Sequence, residues 1–279
     1  MTTTTAMDIL KTILSETDER VQRAKATATV AMLESLPAFS APTLSLEKAL
    51  RARPVSIIGE VKKASPSRGL IRADFDVPSI GRGYRRGGAA AVSVLTEPNH
   101  FKGSLLHLSE LRRFVDLPIL RKDFIIDAYQ LVEARAFGAD AALLIAAALE
   151  KTQLHELLDA ASELGLECLV EVHNAGELEK LDIDRIHLLG INNRDLTTFE
   201  VDVNQTARLL PQLPAHVTVV SESGFNSADQ LASLCDAGVH GFLIGEALMR
   251  QRDVEHTLRT LVTEAQGLLS KRTKLRLVG

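Results

Sequence analysis

Charged side chains stand at the end of an apolar segment near the start of the chain. Residues 57–69 (IIGEVKKASPSRG) begin as an apolar run, then present Glu60, Lys62 and Lys63, and continue into a Ser-Pro-Ser-Arg-Gly turn. Strand side chains alternate between two faces, so Glu60 and Lys62 share one face. Burying a charge is costly unless the charge is paired. The two groups are therefore either a structural ion pair or part of an acid–base site.

Four later apolar runs deliver polar groups in the same way. The polar residues that share a strand face at the ends of these runs, together with the first pair, are Glu60, Lys62, Lys122, Glu171, Asn192, Arg194 and Glu222. Taken singly, each has a structural explanation; Lys122 could balance Asp123, for example. Five separate runs that bring ionisable groups to one place favour a catalytic site, in which neighbouring charges adjust each lysine pKa.

The elements that must position these residues form a repeating pattern. After about residue 54, eight short apolar runs (SIIGEV, AAVSVLTE, PILRKDF, AALLIAA, CLVEVH, HLLGINN, VTVVSES and GFLIGE) alternate with amphipathic helical segments. Several helices end at a glycine just before the next run: Gly88, Gly138, Gly165 and Gly238. Continuously apolar strands are typical of parallel sheets covered on both faces. The pattern predicts an α/β fold, the (β/α)8 TIM barrel, with the active site at the carboxyl ends of the strands.

The predicted barrel is a single domain with short additions at both ends. Residues 1–54 contain two helical patterns and are predicted to be an N-terminal helical extension packed on the barrel. Residues 55–270 form the catalytic barrel, and residues 271–279 form a basic tail. No GxGxxG turn follows the first strand, which argues against a dinucleotide-binding sheet.

Two strand ends carry the residues of a phosphate site. Ser223 and Gly224 follow the seventh run, and Gly245 and Glu246 follow the eighth. Barrels often bind phosphate in these two loops, where glycine lets backbone N–H groups approach the oxygens. The two loops together predict phosphate binding, and Lys62 and Ser65 could close the site from the first loop.

Composition and charge narrow the class of protein. The chain of 279 residues is 46% hydrophobic, and its net charge of -4 indicates neither a nucleic-acid nor a membrane-surface partner. No apolar run approaches the roughly 18 residues of a membrane span, and the first residues lack a signal-peptide pattern. The only cysteines, Cys168 and Cys235, show neither a disulfide framework nor metal-site spacing. We therefore expect a cytoplasmic protein without a metal.

The motifs at the strand ends resemble one family. They are EVKKASPS (60–67), LRKDF (120–124), EVH (171–173), GINNRDL (190–196), SESG (221–224) and IGEALM (244–249). Their types, order and spacing resemble indole-3-glycerol-phosphate synthase, an enzyme of tryptophan biosynthesis. The N-terminal helical extension is also similar, so the resemblance covers nearly the whole chain.

One loop departs from the family pattern. The segment TEPNHFKGS (96–104) is similar to the family's loop after the second strand, which usually carries two adjacent aromatic residues before x-Gly-Ser. Here His100 stands at the first of these positions. Phe101 is then expected to stack on an aromatic substrate. The histidine is expected to affect only the fine substrate specificity.

The resemblance implies a reaction that needs several acids and bases. The implied substrate is 1-(2-carboxyphenylamino)-1-deoxyribulose 5-phosphate, which closes a ring and loses CO2 and water to give indole-3-glycerol phosphate. Ring closure needs an acid for the developing alkoxide, and dehydration needs an acid and a base. No cofactor or metal is implied, because the protonated, dearomatised intermediate is itself the electron sink. The resemblance also leaves room for other tryptophan-pathway enzymes as partners.

The catalytic roles are carried over from the family motifs. Lys122 is expected to be the general acid of ring closure, and Glu171 the acid–base partner in dehydration. Lys62 is either the second acid or a contact to substrate anions. Glu60 is expected to orient and tune these lysines.

The binding roles follow in the same way. Asn192 and Arg194 suit the anthranilate carboxylate, since a guanidinium matches a carboxylate bidentately. Glu222 either binds ribulose hydroxyls or adjusts a neighbouring charge. The expected walls of the aromatic pocket are Phe101, Phe124 and Leu143. The expected phosphate ligands are Ser65, Ser223, Gly224, Gly245 and, through its backbone N–H, Glu246.

Two other functions remain open from the sequence. Another phosphate-binding barrel, such as phosphoribosylanthranilate isomerase, would rely on a cysteine base at the first strand end, where this chain has Glu60. A non-catalytic barrel that binds phosphorylated metabolites would keep the glycine-containing loops. It would need neither Lys122 nor Glu171.

Overall fold

Eight parallel strands close into a barrel, as the sequence predicts. A computed structural model of the chain describes residues 6–195 and 200–278, and Leu196 of the GINNRDL motif lies outside them. The strands are β1 (Ile57–Val61), β2 (Ala91–Leu95), β3 (Ile119–Lys122), β4 (Ala141–Ile145), β5 (Glu167–Val172), β6 (Leu188–Asn192), β7 (Thr218–Glu222) and β8 (Gly241–Ile244). Each strand pairs with its neighbours in chain order, and β1 pairs with β8 to close the barrel.

Helices connect the strands and pack on the outside of the barrel. Before the barrel come α1 (Ala6–Thr27), α2 (Val30–Glu34) and α3 (Leu46–Arg51). Between and after the strands lie α4 (Val77–Gly87), α5 (Leu106–Arg112), α6 (Ala128–Ala136), α7 (Lys151–Glu163), α8 (Ala175–Glu179), α9 (Asn204–Leu209), α10 (Ala228–Ala237), α11 (Glu246–Met249) and α12 (Val254–Val278). Among the described residues, no helix is long and apolar enough to cross a membrane.

The four glycines predicted at helix ends all adopt a left-handed backbone: Gly138 (φ 89°) and Gly165 (φ 67°) follow α6 and α7, and the other two are the C-caps of their helices. Gly88 after α4 has φ 93°, and Gly238 after α10 has φ 112°. In both cases the glycine N–H donates to a carbonyl of the last helical turn, which satisfies a group that the helix itself leaves unpaired. The sequence predicts both helix ends for this reason.

The strand register brings the polar strand ends to a common level. Leu95 lies beside Lys122, Ile145 beside Glu171, and Asn192 beside Glu222. The carboxyl ends of parallel strands share one rim of the barrel. The polar residues of separate strands therefore face one another across this rim.

Helix α3 closes the opposite end of the barrel. Leu46 and Leu50 are completely buried against the interior residues of the barrel. A side chain at Gly241, the first residue of β8, would meet Leu50 at 2.7 Å, so glycine makes room for the helix there. Ser45 caps α3, and its hydroxyl donates to the carboxylate of Glu167 at the start of β5.

Helix α1 reaches the rim at the carboxyl ends of the strands instead. Ile13 and Val21 of this helix are buried. Arg20 forms an ion pair with Asp123, just after β3, with an Nη2–Oδ1 distance of 2.9 Å. Lys25 pairs with Asp127 at 2.6 Å, at the start of α6. The N-terminal extension thus contacts both ends of the barrel.

Candidate active site

A cavity at the carboxyl ends of the strands contains the polar strand-end residues. Its volume is about 420 Å³, large enough for a small phosphorylated metabolite. Every residue that the sequence analysis selected for the site lines it: Glu60, Lys62, Ser65, Phe101, Lys122, Phe124, Leu143, Glu171, Asn192, Arg194, Glu222, Ser223, Gly224, Gly245 and Glu246. The period-two alternation of strand side chains and the barrel topology together account for this convergence.

Lys122 lies between two buried carboxylates. Its Nζ is 2.9 Å from Glu171 Oε2 and 2.9 Å from Glu222 Oε2. Burial alone would lower the pKa of this ammonium group. The negative charges of Glu171, Glu222 and Glu60 outweigh that effect and raise the pKa above its ordinary value. Lys122 is therefore a charged donor aimed into the cavity.

The two carboxylates differ in their tendency to hold a proton. Burial would raise the pKa of Glu171, but Lys122 and His173 stabilise its charge and hold the pKa well below the usual value. Burial and the charge of Glu171 raise the pKa of Glu222 to about 7, against the opposing effect of Lys122. The site thus contains one carboxylate that stays ionised and one that exchanges a proton near neutral pH. Such a separation of pKa values is typical of acid–base sites.

Glu60 and Lys62 form a second charged pair at the end of β1. Lys62 Nζ lies 2.5 Å from Glu60 Oε2, and both side chains are mostly buried. A Cβ at Gly245 would lie 1.9 Å from Glu60 Oε2, so a larger residue there would displace the Glu60 carboxylate. Lys63 points away from the cavity, and its Nζ lies 5.7 Å from the centre of the Phe75 ring.

The expected phosphate ligands lie together on one side of the cavity. Ser223 has φ 68° and Gly224 has φ 91°, a turn that an L-residue adopts at some cost. Arg68 and Arg250 also line this side, and both contact the Glu246 carboxylate, at 3.3 Å and 3.0 Å. These two arginines were not predicted from the sequence, although Arg68 lies in the SPSRG turn.

Apolar residues form another part of the cavity lining. The rings of Phe101 and Phe124 lie 6.2 Å apart, centre to centre, at an angle of 41°. Three residues of α1 complete the lining: Ile9, Leu10 and Ile13. These three residues were not predicted from the sequence, because an amphipathic pattern shows that a helix face is buried without showing what covers it.

His100 points away from the cavity and joins its loop to α1. Its Nε2 lies 3.0 Å from Glu16 Oε2, and the Asn99 side chain donates to the same oxygen. Glu97 accepts the backbone N–H groups of Asn99, His100 and Phe101 and so fixes the loop. His100 therefore links its loop to α1 through a polar contact, at a position where the family pattern has an aromatic residue. Phe101 lies in the cavity.

Comparison with known proteins identifies similar sequences. A family model described as Indole-3-glycerol phosphate synthase matches residues 10–261. The chain is 49% identical to an indole-3-glycerol phosphate synthase of Salinibacter ruber over 267 residues, which are 95% of this chain and 99% of the relative. It is 47% identical to one of Neisseria meningitidis serogroup B over 252 residues, 89% and 96% of the two chains.

Solved structures with the same fold are more distant in sequence. A mutant tryptophan synthase alpha-subunit from Pyrococcus furiosus has a TM-score of 0.57 at 18% identity, covering 76% of this chain and 98% of that chain. KGPDC from Streptococcus mutans has a TM-score of 0.58 at 14% identity, covering 76% and 97%. At these identities the likeness shows the barrel fold alone.

Proposed function

The chain belongs to the indole-3-glycerol phosphate synthase family of tryptophan biosynthesis, and from this premise we propose how the residues at the barrel mouth carry out the reaction. The substrate, 1-(2-carboxyphenylamino)-1-deoxyribulose 5-phosphate, gives indole-3-glycerol phosphate, CO2 and water. Neither the isomerase nor the non-catalytic barrel is favoured by these relatives. The observation that carries the proposal is Lys122 held between Glu171 and Glu222.

Lys122 is the general acid of ring closure. The aromatic carbon that bears the carboxylate attacks the ketone carbon, and the ketone oxygen takes a proton from the Lys122 ammonium group. The charge of this group is secured by Glu171 and Glu222. A general acid of this kind contributes about 10²–10⁴-fold to the rate.

Carbon dioxide and water leave from the closed ring. The bond to the carboxylate breaks, and its electron pair flows into the protonated ring system, so CO2 departs without a cofactor. This step makes the enzyme a carboxy-lyase. In the dehydration that follows, a positioned acid protonates the departing hydroxyl and Glu171 takes the ring proton. Lys62, held by Glu60 at the edge of the same cavity, is the second acid or a contact to the substrate anions.

The remaining lining residues hold the substrate. Asn192 and Arg194 bind the anthranilate carboxylate, and Phe101, Phe124 and Leu143 enclose its ring. Glu222 either binds the ribulose hydroxyls or supplies the exchangeable proton of the site. The phosphate ligands are Ser65, Ser223, Gly224, Gly245 and the backbone N–H of Glu246. We also propose that the protein acts in the cytoplasm, beside other enzymes of the tryptophan pathway.

The test is indole fluorescence on mixing the purified protein with the synthetic substrate. The chain contains no tryptophan, so the protein background is low. We expect turnover by the parent and a loss of about 10²–10⁴-fold in kcat for Lys122→Met. Lys63→Met is the matched control, since Lys63 lies one residue beyond Lys62 and outside the cavity, and it should retain parental turnover.

Two results would contradict the proposal. Absence of turnover by the folded parent protein would reject the proposed synthase activity. Parental kcat in a folded Lys122→Met variant would leave the activity and reject Lys122 as its acid.

A further inference from the structure

A buried histidine stands directly behind one of the proposed catalytic carboxylates. His173 follows β5, two residues after Glu171, and its side chain is 5% exposed. Its Nε2 lies 3.1 Å from Glu171 Oε1, and its Nδ1 lies 3.2 Å from Glu177 Oε2. His173 does not line the cavity that contains Lys122; with Asn174 and Glu177 it lines a neighbouring one. Its contact with the proposed site is through Glu171.

Glu177 is itself fixed by the start of helix α8. Asn174 caps this helix: its side-chain oxygen accepts the Glu177 backbone N–H at 2.9 Å, and its amide donates to Glu177 Oε1 at 2.8 Å. The other carboxylate oxygen, Oε2, accepts the backbone N–H of His173 at 2.8 Å. Reciprocal bonds of this kind at a helix start hold both side chains in one orientation. The Glu177 carboxylate, and with it the imidazole, is therefore held in one position.

The charged groups that face His173 are Glu171 of β5 and Glu177 of α8. Burial would lower the pKa of the imidazole, but these two carboxylates raise it to about 10. From α9, the uncharged Gln205 side chain donates to the His173 carbonyl at 2.9 Å. At neutral pH the ring is consequently an imidazolium between two carboxylates.

The two oxygens of Glu171 have different partners as a result. Oε1 lies 3.1 Å from His173 Nε2, a charge contact that is not aligned as a hydrogen bond, and Oε2 accepts from Lys122. Without the cation behind it, Oε1 would be a buried oxygen without a positive partner, and Glu171 would compete with Glu222 for the single ammonium group of Lys122. A carboxylate in that position loses both its fixed orientation and its charge.

We propose that His173 is a positioning residue, an imidazolium held by Glu177 that keeps Glu171 ionised and directs its Oε2 toward Lys122. The inference rests on the proposed role of Glu171 in the synthase reaction. In this proposal, the chain of contacts from Asn174 through Glu177 and His173 to Glu171 affects the rate of the reaction. A buried ion-pair network that served folding alone would change stability and leave the pH dependence of the reaction untouched.

The experiment compares His173→Asn and Glu177→Gln with the parent in steady-state kinetics across pH. We expect His173→Asn to lower kcat by about 10²-fold, the typical effect of a misplaced catalytic group, with KM within about twofold. Activity that requires ionised Glu171 is lost as pH falls through its pKa. Removing the cation raises that pKa, so the acidic limb of the kcat profile should move to higher pH. Glu177→Gln should shift both quantities in the same direction by less.

Glu179→Gln is the matched control, because it removes one carboxylate from the same helix at an exposed position. It should keep the parental kcat and pH profile. The proposal is overturned if folded His173→Asn keeps the parental profile, or if it loses only thermal stability. Should His173→Asn fail to fold, Glu177→Gln decides the matter, since it retains the imidazole.

A Glu171→Gln variant separates this inference from the function on which it rests. Loss of activity in Glu171→Gln with a parental profile in His173→Asn rejects the positioning role and leaves the proposed function intact. Full activity in Glu171→Gln rejects the proposed role of Glu171, and with it any residue that positions Glu171.

Discussion

Glu222, one of the proposed substrate-binding residues, carries a charge that the folded protein disfavours. It is almost completely buried, and its Oε1 has no hydrogen-bond partner among the residues that the structure describes. A Cβ on Gly190 would collide with the same oxygen, so the neighbouring strand leaves space for the carboxylate without offering it a donor. Burial and the charge of Glu171 raise its pKa to about 7. This arrangement suits a group that must release and recover a proton.

The raised pKa of Glu222 predicts a pH-dependent cost in stability. A carboxyl group whose pKa rises on folding binds more protons in the folded state, so its favourable contribution is complete below the unfolded pKa, near 4.5. That contribution is lost as pH increases through about 7. Glu222→Gln, which cannot ionise, should therefore gain stability relative to the parent between pH 5 and pH 8, by up to about 3 kcal/mol.

Urea unfolding of parent and variant at the two pH values measures this difference. Exposed Glu179→Gln provides the control, with a stability difference that does not depend on pH. An equal difference for Glu222→Gln at pH 5 and pH 8 would show that Glu222 is ionised at both. Turnover should fall in Glu222→Gln, whichever way stability changes.

For individual residues, the sequence predicts which side chains converge on the site but not how they interact there. Local alternation along each strand is sufficient to bring Lys122 and Glu171 to one cavity, because parallel strands of a barrel end at one rim. Which carboxylate keeps a proton depends on distances between strands. His173 and Glu177 are only four residues apart in the sequence, yet their contact depends on where helix α8 begins.

Helix α1 shows what a single element adds to the site. The sequence predicts a helix in this segment, and the structure places it at Ala6–Thr27. Its apolar residues Ile9, Leu10 and Ile13 cover one side of the cavity. Amphipathic spacing predicts a buried face, but several faces of a barrel offer apolar surface. The contact with the rim at the carboxyl ends of the strands depends on long-range pairs such as Arg20 with Asp123.

The Arg20–Asp123 pair should control substrate binding through α1. Arg20→Met removes the guanidinium, while Asp123 keeps its partner Arg121 at 3.0 Å, so the barrel itself should remain intact. A hydrogen bond to a charged group stabilises by about 1.5–3 kcal/mol, and loss of part of this anchoring loosens the apolar wall. We expect KM to increase by up to about tenfold, with little change in kcat.

Arg23→Met is the matched control for this prediction. Arg23 lies one turn away on α1, and its pair with Glu19 is exposed on the surface of the helix, where such pairs contribute little. Steady-state kinetics of the three proteins, side by side, test the idea. Parental KM in Arg20→Met would mean that the position of α1 does not affect the binding site.

At the scale of the whole molecule, the two ends of the barrel have different tasks. The carboxyl end carries charged groups whose burial is costly, and the amino end is sealed by Leu46 and Leu50 of α3. Eight alternating runs predict the closed barrel, since their number and length fit that architecture. They do not predict that α3 closes the barrel. A short amphipathic segment such as SLEKAL (45–50) fits many surfaces. The structure supplies that contact.

We propose that the N-terminal extension (residues 1–54) and the barrel unfold as one unit, and Leu50→Ala tests this at a distance from the catalytic rim. Leu50 is completely buried against the start of β8, so its truncation should cost about 2–5 kcal/mol and shift the entire unfolding transition to lower urea concentration. Leu44→Ala, on the same extension but 38% exposed, is the control and should unfold close to the parent. At 25 °C the folded Leu50→Ala variant should keep its kcat and KM, because every proposed catalytic group lies at the other end of the barrel. Two separate transitions would instead show that the extension folds independently, and a change in kcat would show that the two ends of the barrel are coupled.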